Sequence, residues 1–239
     1  MVRQIAIDAD SMVDVALSRT GTEKENFLEE AYLEFCGQIK DVHRGVFRRY
    51  GWNKGDSIDF KIALSPKQSW RNRYAETYKA NRKERSPEKT ELLRLIWSRL
   101  NSKVIAGDIP EADDYVMHMA RLGWDVAAID KDIKLACPTA VFDYKKHEWN
   151  EPNDENTIER NIVMQAVKGD QVDGIKGAYG KGDKFCETEV LQRRSLPYLE
   201  YVSWFESEKD AIDSMRLVRM DQWTPDKGLR LWEPSMWKL

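Results

Sequence analysis

From Val2 to Ala9 apolar and polar positions alternate, and the run closes on Asp8-Ala9-Asp10, the pattern of a buried strand with carboxylates at its C-terminal end. Over residues 23–50 the period changes, and Phe27, Ala31, Phe35, Ile39 and Val42 fall on one stripe of a helix. Residues 58–64 read as a second strand, closed by Ser65-Pro66. A basic segment follows, with helical pieces broken at Ser86-Pro87, then a helix over 91–100 and a short strand over 103–106. Pro110 opens a helix over 111–122, with Ala112, Val116, Met119 and Ala120 facing inward and Gly123 as its stop. Residues 124–130 and 139–144 read as strands, 145–156 as a polar loop, and 157–168, 183–194 and 206–221 as helices.

Strands that alternate with helices imply a mainly parallel sheet with crossover helices. Ligands of such sheets bind at the C-terminal ends of the strands. Asp8 and Asp130 both lie at such ends and are expected to converge. The expected organisation is an α/β core over 1–150, a helical region over 151–222 and a tail over 223–239.

At 239 residues the chain suffices for one large domain, or one domain with a small lobe. No apolar run is long enough to span a bilayer, and the first residues enter a strand pattern without signal-peptide form. Cys36, Cys137 and Cys186 are far apart and odd in number, which fits reduced thiols and a cytoplasmic location. A net charge of −3 argues against general nucleic-acid binding. Its distribution changes that picture. Residues 67–89 hold Lys67, Arg71, Arg73, Lys79, Arg82, Lys83, Arg85 and Lys89 against three glutamates, a local charge of +5. That is the footprint of a nucleic-acid grip confined to one region. Trp70, Tyr74 and Tyr78 recur there at helical spacing, as a platform for unpaired bases or as a packing stripe.

The densest chemistry lies in residues 169–184. Asp170 and Asp173 precede Gly174, Gly177, Gly180 and Gly182, with Lys176 and Lys184 between and after them. A glycine-punctuated hairpin between helices presents bare N–H groups to phosphate oxygens. Carboxylates beside it would repel phosphate unless a cation lay between them. Asp8, Glu111, Asp113, Asp114, Asp130 and Asp132 extend the acidic set at sheet ends and a helix start. Two unit charges about 4 Å apart cost roughly 4 kcal/mol at an effective dielectric near 20, so eight carboxylates in one cleft would require cations. An all-oxygen set suits Mg²⁺, with Mn²⁺ as a substitute, rather than Zn²⁺. His43, His118 and His147 have no ligand spacing.

The run Asp170-x-x-Asp173-Gly174-Ile-x-Gly177-x-x-Gly180-x-Gly182-x-Lys184 resembles the helix-hairpin-helix of the 5′-nuclease (flap endonuclease) family. The likeness is to its phage and bacterial branch, which includes the 5′-nuclease domain of DNA polymerase I. Ile7-Asp8, Glu111-Ala-Asp113-Asp114 and Asp130-Lys-Asp132 are similar to that family's acidic motifs, and Tyr78-Lys79-Ala-Asn81-Arg82 to its arch. The resemblance spans residues 3 to about 221. It implies a PIN-like core with a mainly parallel sheet flanked by helices, a helical arch within 66–92 and a helix-hairpin-helix over 157–194. It implies a monomer that cuts DNA at 5′ ends or 5′ flaps, with RNA–DNA hybrids as a second substrate, leaving 5′-phosphate and 3′-hydroxyl. Two Mg²⁺ would be held by Asp8, Glu111, Asp113 and Asp114, and by Asp130, Asp132, Asp170 and Asp173. Lys79 and Arg82 would lie over the scissile phosphate. Arg71, Arg73, Tyr78, Lys83, Gly174, Lys176, Gly177, Gly180, Gly182 and Lys184 would hold DNA, with K⁺ as an optional ion at the hairpin.

The family usually carries a further aspartate at the end of its second strand, where this chain has Leu64-Ser65-Pro66. Asp10, two residues beyond Asp8 and expected on the same strand face, is the candidate replacement. The gap at Ser65 keeps open a DNA-junction-binding protein without turnover, and a PIN-type ribonuclease is the other alternative. In the tail, Gly228-Leu-Arg-Leu-Trp232 resembles peptides that dock on sliding clamps, a candidate contact for a replication partner.

Overall fold

A computed structural model describes residues 1–21, 25–51, 53–105, 107 and 109–239. The contacts divide the chain into residues 1–67 with 84–152, and residues 68–83 with 153–239. The basic segment 68–83, expected with the core, thus belongs to the helical unit.

The first unit is built on a six-stranded sheet of β1 (Val2–Asp8), β2 (Ser57–Ala63), β3 (Val104–Ile105), β4 (Asp125–Ala127), β5 (Val141–Asp143) and β6 (Glu148–Asn150), in the order β3-β2-β1-β4-β5-β6. All pairings are parallel except that of β6 with β5. β1 lies between β2 and β4, with Asp8 opposite Ala63 and Ile7 opposite Ala127. The chain moves outward from β1 to β2 and β3, then returns to place β4 on β1's other side. The switch point of the sheet therefore falls between β1 and β4, where open α/β sheets bind their ligands.

Ile5 and Ile7 join a core with Met12 and Val13 of α1 (Asp10–Thr20), Phe35, Ile39 and Val42 of α2 (Phe27–Tyr50), and Leu92 and Ile96 of α4 (Pro87–Leu100). Phe142 packs so closely on α2 that a Cβ at Gly45 would lie 2.3 Å from its ring. Ala6 and Asp8 point to the opposite face of β1, and α5 (Ala112–Arg121) packs against β1, β2 and β4.

Three elements differ from expectation. Residues 10–20 form α1, so Asp10 opens a helix and does not share a strand face with Asp8. The strand expected over 124–130 ends at Ala127, because Asp130 caps α6 (Lys131–Ala136) by accepting the Asp132 N–H at 2.7 Å. The polar loop at 145–156 holds β6, closed on β5 through His147, which has a positive φ of 58°. Glu23, Lys24 and Ala106, which were expected in a helix and a strand, lie outside the described residues.

The second unit contains α3 (Trp70–Tyr74), α7 (Glu155–Lys168), α8 (Asp183–Cys186) running into a π-helical turn over Glu187–Leu191, α9 (Tyr198–Ser203) and α10 (Glu208–Val218). A two-stranded ribbon of β7 (Trp223–Thr224) and β8 (Gly228–Leu229) follows α10. Arg219 is buried, with both terminal nitrogens on Glu159 at 2.8 and 2.9 Å and one also on Asp221 at 2.8 Å. Burial opposes its charge, but the two carboxylates outweigh that and raise its pKa. Trp232 and Trp237 pack with Tyr198, and Trp237 with Tyr201. Trp232, the aromatic of the clamp-like peptide, is buried in this cluster, and its N–H donates to Gln222 Oε1 at 2.6 Å. The apolar anchor that a docking peptide would offer a partner is thus part of the core.

Candidate carboxylate site and nucleic-acid interface

The acids of the first unit gather on elements that end or begin at the C-terminal edge of the sheet. Asp8 terminates β1 and is 7% exposed. Asp130 follows β4 on the adjacent strand and caps α6, with Asp132 in that helix's first turn. Glu111 caps α5 and is 5% exposed, and Asp114 in the first turn is fully buried. Each of these two carboxylates serves the other's end of the turn. Asp114 Oδ2 accepts the Glu111 N–H at 3.0 Å, and the Glu111 side chain accepts from the Asp114 backbone. Asp113 Oδ1 accepts the Asp114 N–H at 2.7 Å. This reciprocal cap satisfies helix-start donors and draws negative charge to the positive end of the helix dipole.

Ser65 ties this edge together. Its N–H donates to Asp10 Oδ1 at 3.1 Å, and its hydroxyl accepts the Ala112 N–H at 2.9 Å. Its carbonyl, with that of Pro66, receives a guanidinium nitrogen of Arg85 at 3.2 and 3.3 Å. The Asp10 carboxylate thus reaches the end of β2. The sequence had marked Ser65 only as an absence.

Two further side chains were missed by sequence reasoning. Tyr144 is buried, and its hydroxyl lies 3.4 Å from the Asp8 carbonyl. Burial, then the negative charge of Asp8, drives its phenol pKa well up, so it stays protonated and donates. Lys134 in α6 bonds the buried Asp143 at 2.6 Å and the Ile129 carbonyl at 3.0 Å. Burial alone would raise the Asp143 pKa, but the Lys134 ammonium and the N–H groups of Lys145 and Lys146 hold it below the usual carboxylate value. Helical spacing from Asp130 to Lys134 was the only available signal, and a strand assignment concealed it.

The acids fit a hard divalent cation in kind, being all-oxygen donors without cysteine or histidine. Among the described residues no group of three or more His, Cys, Asp or Glu is placed to hold a metal ion. Glu111, Asp113, Asp114, Asp130 and Asp170 each accept a nearby backbone N–H, which offsets part of the cost of their charge.

In the second unit the basic segment is a short helix and a chain of turns. The Lys79 and Arg82 pair, expected on a helix, is instead joined by a turn in which Arg82 N–H donates to the Lys79 carbonyl at 3.1 Å. Lys79 adopts φ 55°, a left-handed conformation costly for a side chain with a Cβ. Its N–H donates to the Asp173 carbonyl at 2.9 Å, and its ammonium lies 4.8 Å from the Tyr78 ring centre. Arg82 pairs with the Asp173 carboxylate at 2.5 Å, joining a phosphate candidate to a metal candidate. Asp170 accepts the N–H groups of Val172 and Asp173 at 2.8 and 3.1 Å.

Two expected DNA contacts lie in the interior. Arg71 is 1% exposed and donates to the carbonyls of Leu217 and Arg219 at 2.9 and 2.7 Å, where it locks α3 to the end of α10. Tyr78 is buried with Ile175 and Leu217, and Trp70 is buried too, so the aromatic recurrence is a packing stripe. Arg73, Lys83, Lys176 and Lys184 are exposed, Lys176 in a pair with Glu206.

The hairpin glycines divide by role. Gly174 has φ 71°, and a Cβ there would lie 2.0 Å from the Thr77 carbonyl oxygen. Gly177 packs on the backbone of Gly169, where a Cβ would meet nitrogen at 2.5 Å. These two close the hairpin onto its own supports. Gly180 and Gly182 have nothing within 4 Å of an added Cβ and are exposed.

No protein-family model and no curated protein sequence matches the chain. Solved structures do. The T5 D15 protein co-crystallised with metal ions aligns at a TM-score of 0.66 and 16% identity, over 92% of this chain and 90% of that one. The T5 5′-exonuclease with bound zinc aligns at 0.61 and 16%, with the same coverage. The fold is that of the 5′-nucleases. The catalytic core of Rad2 in complex with DNA substrate aligns at 0.52 and 15% identity, over 84% of this chain and 63% of that one. In this chain's own strand order the switch point lies between β1, which ends at Asp8, and β4. Among the described residues, no helix is long and apolar enough to cross a membrane.

Proposed function

We propose that this chain is a metal-dependent 5′-nuclease that hydrolyses DNA phosphodiesters near a free 5′ end or at a 5′ flap, leaving 5′-phosphate and 3′-hydroxyl. The observation that carries the reading is the placement of Asp8 at the end of β1 and Asp130 just beyond β4, on either side of the switch point, with Glu111 and Asp114 buried at the start of α5. Buried carboxylates at a ligand-binding edge are costly and are retained where cations offset them.

Asp8, Asp10, Glu111, Asp113 and Asp114 are the proposed ligands of one divalent ion, directly or through water, and Asp130 and Asp132 of a second. Asp170 and Asp173 are proposed for the second ion on their sequence motif. Mg²⁺, or Mn²⁺ in its place, would supply an activated water and charge stabilisation of the leaving oxygen. Tyr144 keeps its proton beside Asp8 and orients that strand end. Ser65 fixes Asp10 and the first turn of α5 relative to each other. Lys79 and Arg82 would neutralise charge on the phosphate, Arg82 by exchanging Asp173 for a phosphate oxygen. Arg73, Lys83, Lys176, Lys184 and the open backbone at Gly180 and Gly182 are the proposed DNA contacts, which hold the backbone without reading sequence. RNA–DNA hybrids are a proposed second substrate, K⁺ a proposed ion at the hairpin, and the monomer the proposed state.

The test is cleavage of a labelled 5′-flap duplex with Mg²⁺, Mn²⁺ or EDTA, using wild type and Asp8→Asn. Cutting near the junction that EDTA and Asp8→Asn both abolish supports the reading. Binding to the junction without cutting under either metal would replace it with the non-catalytic alternative. A preference for single-stranded RNA would replace it with a PIN-type ribonuclease.

A further inference from the structure

Residues 178–182 combine an anchored turn, an exposed aromatic ring and open glycine backbone. Ala178 is buried and its N–H donates to the Val167 carbonyl at 2.7 Å, while its own carbonyl accepts Lys181 N–H at 3.2 Å. The turn that follows is therefore held at both ends. On it Tyr179 stands 91% exposed. Next to it, Gly180 at φ 71° and Gly182 leave bare backbone open to close approach. The Lys181 ammonium rests 4.3 Å from the Phe185 ring centre, and Lys176 and Lys184 flank the turn.

A fully exposed ring on a fixed turn forgoes the burial that Tyr198 and Tyr201 obtain in the same unit. Its neighbours narrow what could cover it. Bare N–H groups and lysines suit phosphates, and an aromatic ring suits a flat apolar face. A nucleotide strand presents both at this spacing, since phosphates alternate with sugars and bases. We propose that Tyr179 packs its ring on a nucleotide face of the DNA strand gripped by this hairpin, giving the grip an apolar component besides its electrostatic one. This rests on the DNA-binding reading given under Proposed function.

The test is equilibrium binding in EDTA, with the full chain and a KCl series, to a paired duplex and to the same duplex with a 5′ single-stranded extension. Tyr179→Ala is expected to weaken binding roughly 5- to 150-fold, the range for loss of one stacked ring. The slope of log K against log salt should not change, because no charge is removed. Tyr179→Phe should bind like wild type. Lys181→Ala should lower that slope by about 0.7–0.9. Loss on both DNAs places the ring on a sugar within the duplex, and loss only with the extension places it on an unpaired base. Wild-type binding that Tyr179→Ala leaves intact would overturn the inference and keep the DNA reading. An equal loss in Leu199→Ala, an exposed leucine on α9, would also overturn it. Absence of wild-type binding to either DNA would overturn both.

Discussion

The Asp10 carboxylate accepts the Ser65 backbone N–H at 3.1 Å, so the first residue of α1 supplies an acid to the end of β2. The resemblance in sequence led to the expectation of an aspartate at that strand end, and here the strand itself offers only a hydroxyl. That hydroxyl is engaged in accepting the Ala112 N–H. A carboxylate from one element and a cap from another thus meet at one serine.

Asp10→Asn keeps an acceptor for Ser65 but removes the charge. Its unfolding free energy should stay within about 0.5 kcal/mol of wild type, as for a substitution that retains its hydrogen bond. Mg²⁺-dependent cleavage should fall about tenfold or more, most at limiting Mg²⁺. Asp10→Ala should in addition lose about 1–2 kcal/mol, because the Ser65 N–H loses its partner. Denaturant melts beside a Mg²⁺ titration of cleavage separate the two effects, and full activity in Asp10→Asn at low Mg²⁺ would remove the carboxylate from the account.

The hairpin glycines should separate in the same way. Gly174→Ala forces a Cβ against the Thr77 carbonyl at 2.0 Å and strains a positive φ, so it should destabilise by more than about 3 kcal/mol. Gly180→Ala meets open space and carries only the backbone strain, about 1 kcal/mol. Thermal melts should rank them so, while DNA binding of Gly180→Ala should fall by more than its stability explains.

Lys134 and Asp143 give a pH-dependent prediction. The Asp143 pKa is lowered from its ordinary 3.8, so its contribution is complete above about pH 4 and is lost as pH falls through the depressed value. Lys134→Ala should cost about 3 kcal/mol near pH 7, the low end for a broken buried pair, because backbone N–H groups still serve Asp143. The gap between variant and wild type should narrow as pH drops below 4. A gap that stays constant down to pH 3 would assign the cost to packing instead.

Arg219→Met should show how far the helical unit depends on its buried charges. Glu159 would be left buried with only Lys238, 3.5 Å away, so a loss of about 3–5 kcal/mol is expected by chemical denaturation. The double change Arg219→Met with Glu159→Leu should recover part of it.

Strand and helix periodicity sufficed for β1, β2, α2, α5, α7 and α10, whose length lets the apolar repeat show. Shorter elements were not legible. Asp130-Lys-Asp132 reads equally as a strand end and as a helix cap, and only the Asp130 side chain on Asp132 N–H decides it. Arg71 and Tyr78 carried every local mark of a DNA grip. What hides them is contact with α10 and the hairpin, about 100 to 150 residues away in sequence. Gly174 and Gly180 are identical in sequence terms, and tertiary packing alone separates a structural glycine from an open one. The acids were legible as a set, whereas their partners Ser65, Tyr144 and Lys134 had no motif.

The most direct measurement is cleavage of a 5′-end-labelled flap duplex and a blunt duplex with Mg²⁺, Mn²⁺ or EDTA, running wild type beside Asp130→Ala and Lys79→Ala. Metal-dependent cutting near the junction or 5′ end is expected, with its loss in Asp130→Ala and a fall on the order of 10²–10³ in rate for Lys79→Ala. Retained junction binding with no cutting under either metal would contradict it and leave a DNA-binding protein of 5′-nuclease fold.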